Sequence, residues 1–128
     1  EKLVTKVRAS SGVARYLGRV DEKTLSALYQ SCSAVLFCSR FEGFGFPILE
    51  AFQNRKPLIC SRSGAIPEVA QDACISVPTA DSQALADAIQ HVVRHPESTA
   101  RLMDMGERRL QDFSWEKAGR QMHRFLLQ

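Results

Sequence analysis

The sequence predicts an α/β fold built on a parallel sheet with helices on both faces, and three observations carry the prediction. Short apolar runs rich in branched residues recur at Val13–Leu17, Val35–Cys38, Leu58–Cys60 and Ile75–Val77. Segments with helically spaced apolar residues stand between them, joined by short polar breaks, which is the alternation of βα units. A chain of 128 residues, 45% hydrophobic and 24% charged, is long enough for one domain with its own core.

Each element rests on local signals. Leu3, Val4 and Val7 put the end of a helix over Glu1–Ala9, and Ser10-Ser11-Gly12 closes it. Val13–Leu17 reads as a strand ended by Gly18. Asp21 is the expected N-cap of a helix reaching about Ser31, with Leu25, Leu28 and Tyr29 on one face. The strand Val35–Cys38 comes next, then a glycine-bearing turn and a helix over Pro47–Gln53. Asn54-Arg55-Lys56-Pro57 breaks the chain before the strand Leu58–Cys60. Ile66–Ala70 is a single helical turn, and Ile75–Val77 a last short strand. The remainder is helical: Asp81–Arg94, a second helix from Pro96 to Leu110, and a third capped by Ser114 that carries Met122, Phe125 and Leu126.

Composition excludes several classes. A formal charge of +3 permits an anionic ligand but marks no nucleic-acid binder. No apolar run is long enough to span a bilayer, and the first residues lack a signal-peptide pattern. Cys32, Cys38, Cys60 and Cys74 form no close-spaced pair, which points to a reducing compartment with neither a disulfide framework nor zinc. No Asp-x-Asp metal motif is present.

The chemistry concentrates in Ser39-Arg40-Phe41-Glu42-Gly43-Phe44-Gly45-Phe46-Pro47-Ile48-Leu49-Glu50-Ala51. Gly43 and Gly45 allow positive φ and close approach of a ligand to the backbone. Pro47 suits the start of a helix, whose N-terminus offers N–H donors and a partial positive charge to a phosphate. Glu42 in the loop and Glu50 in the helix add acceptors suited to hydroxyl groups. A ligand with phosphate and hydroxyls, such as a nucleotide-sugar, matches both features. On spacing alone the carboxylates read equally well as a solvated loop charge and a helix-face charge.

Glu42-Gly43-Phe44-Gly45, Pro47 and Leu49-Glu50-Ala51 resemble the E-x7-E signature of retaining glycosyltransferases of the large sucrose-synthase/mannosyltransferase-like family, family four. Tyr16-Leu17-Gly18-Arg19-Val20 with Leu25 and Leu28-Tyr29 is similar to the family's segment before the signature. Ala65-Ile66-Pro67-Glu68-Val69 and Phe113-Ser114-Trp115-Glu116 resemble the family's segments after it. The likeness runs in order from about residue 13 to the C-terminus. It implies the two-domain Rossmann-like arrangement called GT-B, of which this chain would be part of the C-terminal domain without its first strands. The Rossmann-like part would cover about 13–94, and the C-terminal helices about 96–127. With those strands absent, Val13–Leu17 is expected to pair directly with Val35–Cys38, or to borrow an edge from a second copy of the chain.

The same resemblance implies roles. Glu42 would hold the hydroxyls of the transferred sugar at the catalytic centre, and Glu50 those of the ribose. The backbone N–H groups of Gly45 and Phe46 would hold the distal phosphate, Gly43, Phe44 and Leu49 would complete the donor site, and Arg19 and Val20 would meet the base. The donor would be a UDP-, GDP- or similar nucleotide-sugar, with no metal or other cofactor. The full-length parent would be a cytoplasmic, retaining, metal-independent hexosyltransferase acting on a hydroxyl acceptor, while the fragment alone would be inert. A non-catalytic nucleotide-sugar-binding or interaction module is the alternative. Glu68 and Arg62 are secondary candidates at the same sheet edge, and His91, His95 and His123 lie away from it. Arg108-Arg109, Lys117, Arg120 and Arg124 give the last helices a basic face, readable as solvated or as a peripheral contact with an acidic membrane. Cys38, Phe46 and Asn54-Arg55-Lys56 depart from the family's usual proline, small aliphatic residue and glycine turn.

Overall fold

The computed structural model describes Thr5, Ser10 and residues 12–127. In chain order these form α1 (Glu22–Ser31), β1 (Val35–Phe37), α2 (Phe46–Gln53), β2 (Leu58–Ser61), α3 (Ile66–Ala70), β3 (Ile75–Val77), α4 (Ser82–Arg94), α5 (Pro96–Leu110) and α6 (Trp115–Leu126). The helix expected over Glu1–Ala9 falls outside the described residues except at Thr5, which is helical.

The sheet has the order β1-β2-β3, and both pairings are parallel. Val35 lies opposite Leu58 and Phe37 opposite Cys60, while Ile59 lies opposite Ile75 and Ser61 opposite Val77. This register brings the C-terminal ends of all three strands to one edge, where ligands bind in open parallel sheets. All four residues of β2 are buried, as befits a central strand covered on two faces. Leu58 and Cys60 pack with Ile48, Phe52, Ile66 and Val69 on one side. Ile59 packs with Val77, Ala88 and Val92 on the other. One face therefore lies under α2, α3 and α5, and the opposite face under α4.

Three helices start where a short polar side chain can accept from the first turn. Asp21 accepts from the Thr24 N–H at 2.7 Å, Asp81 from Ala84 at 2.9 Å and Ser114 from Lys117 at 3.1 Å. Two close contacts help to bind α5 to the rest. Gly106 lies directly on the buried ring of Phe52, close enough that a Cβ would meet the Phe52 Cδ1 at 2.5 Å. Arg109 donates from Nε to the Val69 carbonyl at 3.1 Å and from Nη2 to the Glu68 carbonyl at 2.8 Å. Those carbonyls end a one-turn helix and lack partners within it. The guanidinium also pairs with Asp112 at 2.7 Å and stacks 4.6 Å from the Phe113 ring centre.

One expectation is corrected, and two apolar helix faces are left open. Val13–Leu17 forms no strand, and pairs with neither β1 nor any other strand among the described residues. Val13 is 92% exposed, and Tyr16 and Leu17 are exposed as well. β propensity reports fit to a neighbouring strand, so an apolar run with no ladder partner has nothing to hold it extended. The apolar face of α1 is not covered either: none of its residues is buried, and Leu25 and Leu28 remain open to solvent. The same holds for α6, where Met122, Phe125 and Leu126 are exposed. Of the basic residues late in the chain, Arg109 is structural, Lys117 donates to the Gln111 carbonyl and Arg120 pairs with Glu116. No helix among the described residues is long and apolar enough to cross a membrane.

The contact between Gly106 and Phe52 admits no methyl group, so Gly106→Ala should lower stability by about 1–3 kcal/mol through overpacking. Gly119→Ala is the control with the opposite sign, because nothing lies within 4 Å of a Cβ there. It should stabilise α6 by roughly 0.5–1 kcal/mol. Urea unfolding of the two variants measures both.

Candidate functional site

The turn from β1 into α2 is shaped by glycine. Gly45 has φ 95° and ψ 64° in the left-handed region and is the N-cap of α2, with no side-chain cap. A Cβ there would lie 2.9 Å from the Phe37 ring and 3.0 Å from Ile48 Cδ1, so both backbone and packing require glycine. Pro47 occupies the first turn, where its missing N–H costs nothing. Of the opening residues of α2, Pro47 has no N–H and Ile48 donates to the Gly45 carbonyl at 3.0 Å, which leaves the Phe46 N–H at the positive end of the helix dipole.

A second loop clasps this turn. The Ser39 carbonyl accepts from Ser61 Oγ at 2.5 Å and from Ser63 Oγ at 2.7 Å. The Glu42 carbonyl accepts from the Ala65 N–H at 3.0 Å. Gly64, with φ 54°, lets the two backbones touch: a Cβ there would sit 2.5 Å from the Glu42 carbonyl oxygen and 2.8 Å from its amide nitrogen. These bonds bring the loops after β1 and β2 together at one sheet edge. The segment Gly18–Asp21 does not leave a strand end.

Glu42 is half-buried, and its carboxylate has no hydrogen-bond or ionic partner among the described residues. Glu50, also half-buried, accepts at Oε2 from the Tyr29 hydroxyl at 2.6 Å. Burial, and then the hydrogen bond to Glu50, push the Tyr29 phenol above its ordinary value, so it stays a donor. Tyr29 thereby holds one carboxylate oxygen of Glu50 in place from α1. Sequence reasoning assigns Tyr29 only to a helix face. The available signal is its position on an apolar stripe, where a tyrosine hydroxyl needs a partner.

The remaining candidates divide. Phe44 turns inward, with its ring 5.7 Å from Phe113 in an edge-on contact and 5.1 Å from Phe46. Phe46 is exposed, and Leu49 packs against the core. Phe44, Phe46 and Leu49 line a groove of about 560 Å³ shared with Phe113, Trp115 and Lys117. A second hollow, about 240 Å³, lies between Cys38, Arg40 and the segment Val77–Ser82. Glu42 and Glu50 line neither, and the hydrogen-bonded geometry around them is the stronger guide to chemistry. Gly43 is exposed in the turn. Arg19 is exposed and Val20 half-buried in the irregular segment entering α1, and no hydrogen bond ties either to the turn among the described residues. Arg62 donates to Ser76 of β3, and Glu68 engages Arg109 through its carbonyl. His91 meets Ser98 at 3.2 Å and lies 4.6 Å from His95, ring to ring, on the late helices.

Comparison with known proteins matches the sequence and the fold to a family. The sequence profile described as Glycosyl transferases group 1 matches residues 3–109. The chain is similar to the MMP alpha-(1->4)-mannosyltransferase of Mycolicibacterium hassiacum, with 34% identity over 94% of this chain and 30% of that protein. Among solved structures, sucrose-phosphate synthase from Thermosynechococcus elongatus superposes with a TM-score of 0.81 at 27% identity, covering 98% of this chain and 32% of that one. Anabaena HepE, solved in complex with UDP, shares the fold with a TM-score of 0.82 at 23% identity, covering 98% of this chain and 35% of that one. The chain thus spans about a third of the length of these proteins. With a profile match over most of its residues and a parallel sheet whose edge carries the E-x7-E turn, the chain belongs to the glycosyl transferases group 1 family.

Proposed function

We propose that this chain is the donor-binding part of a retaining glycosyltransferase that moves a sugar from a nucleoside diphosphate to a hydroxyl acceptor. The observation that carries the reading is the clasped turn at a helix start with no side-chain cap, with Glu42 in the turn and Glu50 further along the same helix, oriented by Tyr29. Glu50, oriented by Tyr29, has a second oxygen with which to accept from ribose hydroxyls. Glu42 accepts from the hydroxyls of the transferred sugar. The backbone of Gly43 to Phe46 and the N-terminus of α2 receive the distal phosphate, with Leu49 on the inner side. Arg19 and Val20 are assigned to the base. The similarity to a mannosyltransferase and the UDP bound in the Anabaena structure support a nucleotide-sugar donor.

Charge on the departing diphosphate is met on this reading by N–H donors and the helix dipole, which act before the bond breaks and need no reorganisation. Cationic side chains and the acceptor site belong to the other Rossmann-like domain and to the first strands of this one. The 128 residues alone should therefore bind donor weakly and turn over none.

Full-length protein and a panel of nucleotide-sugars, with donor hydrolysis as the readout, test the assignment. Glu50→Gln keeps the shape and should raise the KM for donor about tenfold, the equivalent of roughly 1.4 kcal/mol. Unchanged donor kinetics would remove Glu50 from the site. Tyr29→Phe should raise the same KM about threefold without unfolding the protein, because it deletes one orienting hydrogen bond. Gly64→Ala, strained at φ 54° and pressed on the Glu42 backbone, should depress turnover more than donor binding, since it displaces Glu42. Activity should persist in excess EDTA; its loss, restored by a divalent cation, would overturn the metal-independent part of the reading.

A further inference from the structure

Two of the four cysteines meet across the sheet. Cys60 is the third residue of β2, and Cys74 immediately precedes β3. Their sulfurs are 2.9 Å apart, with both thiols free. That gap is about 0.9 Å longer than a disulfide bond of about 2.05 Å. The residues differ in exposure: Cys60 is 1% exposed over the whole residue, while Cys74 is half-buried. They also differ in acidity. The hydrogen bond from Cys60 draws the Cys74 thiol below its ordinary value, whereas donating that bond, together with burial, pushes Cys60 up.

We propose that Cys60 and Cys74 are a reversible thiol pair, which a small-molecule disulfide oxidant closes into a bond between β2 and the entry to β3. The half-buried residue reacts first. The Cys74 thiolate attacks one sulfur of the oxidant, breaks its S–S bond and releases one small thiolate. Cys60 then gives up its proton and attacks Cys74 Sγ, expelling the second small thiolate. The protein loses two electrons and two protons, and the oxidant becomes two thiols. The order reflects exposure and the fact that the thiolate is the nucleophile.

The location gives the bond a consequence. Residues 61–73 lie inside the ring that it closes, and they include Ser61, Ser63, Gly64 and Ala65, which hold Ser39 and Glu42. Closing the ring restrains the clasp from outside the turn. The chemistry of the pair does not depend on what Glu42 binds.

The test incubates the folded full chain with oxidised glutathione, blocks remaining thiols with N-ethylmaleimide and maps the peptides by mass spectrometry. The expected product joins Cys60 to Cys74 with the loss of two hydrogens and reverts with dithiothreitol. Cys60→Ser should trap glutathione on Cys74, whereas Cys74→Ser should leave Cys60 unmodified while folded. Hydrogen exchange at the Ala65 amide should slow in the oxidised protein. Glutathione resting stably on wild-type Cys74, or a 60–74 bond that forms only in urea, would overturn the pair. A bond that leaves Ala65 exchange unchanged would overturn the link to the clasp.

Discussion

The hydrogen bonds between the loops after β1 and β2 are the constraint on which the candidate site depends. A carbonyl at the end of a parallel strand has lost its ladder partner, and here the Ser39 carbonyl recovers two donors, Ser61 and Ser63. The Glu42 carbonyl recovers the Ala65 amide. Because Gly64 has no side chain, the two backbones meet without a spacer. Glu42 is therefore positioned through its own main chain and that of Ser39, even though it belongs to a loop. This suits a carboxylate that must present its oxygens to a ligand, since a main-chain clasp leaves the side chain uncommitted.

Glu50 is held differently. It lies on α2, whose own position is set by Phe52 beneath Gly106 and by the packing of Ile48 and Ala51 in the core. The final orientation comes from Tyr29 on α1, a helix that buries none of its residues. A link between a rigid helix and an exposed one makes Glu50 sensitive to whatever else packs on α1. Lys56 adds a second tie by donating to the Gln30 carbonyl at 2.8 Å. The exposed apolar faces of α1 and α6 lie outside this framework.

The polar break Asn54-Arg55-Lys56 shows how a departure in sequence is accommodated. Arg55 has φ 50°, in the region that favours glycine. Its guanidinium pairs with Asp104 and Glu107 of α5, and these exposed pairs contribute modestly. The side chain that makes the turn less comfortable also joins α2 to α5. By contrast, the structure offers no account of Cys38 in place of a proline beyond its place in the smaller hollow.

The sequence by itself determined what depends on neighbours within a few residues. The caps Asp21 and Ser114, the start of α2 at the Gly45-Phe46-Pro47 turn and the alternation of strands with helices were all legible, because capping and periodicity act over one turn; Asp81, read as the first helical residue, is the cap of α4. The two carboxylates and the glycine between them were legible for the same reason. Only the tertiary structure decided which distant groups meet: Tyr29 with Glu50, Gly64 with Glu42, Arg109 with the end of α3, and Cys60 with Cys74. It also decided that Val13–Leu17 pairs with no strand among the described residues and that the apolar stripes of α1 and α6 are exposed there. Apolar pattern states a preference for burial, but burial needs a partner surface, and that is a property of the assembled fold.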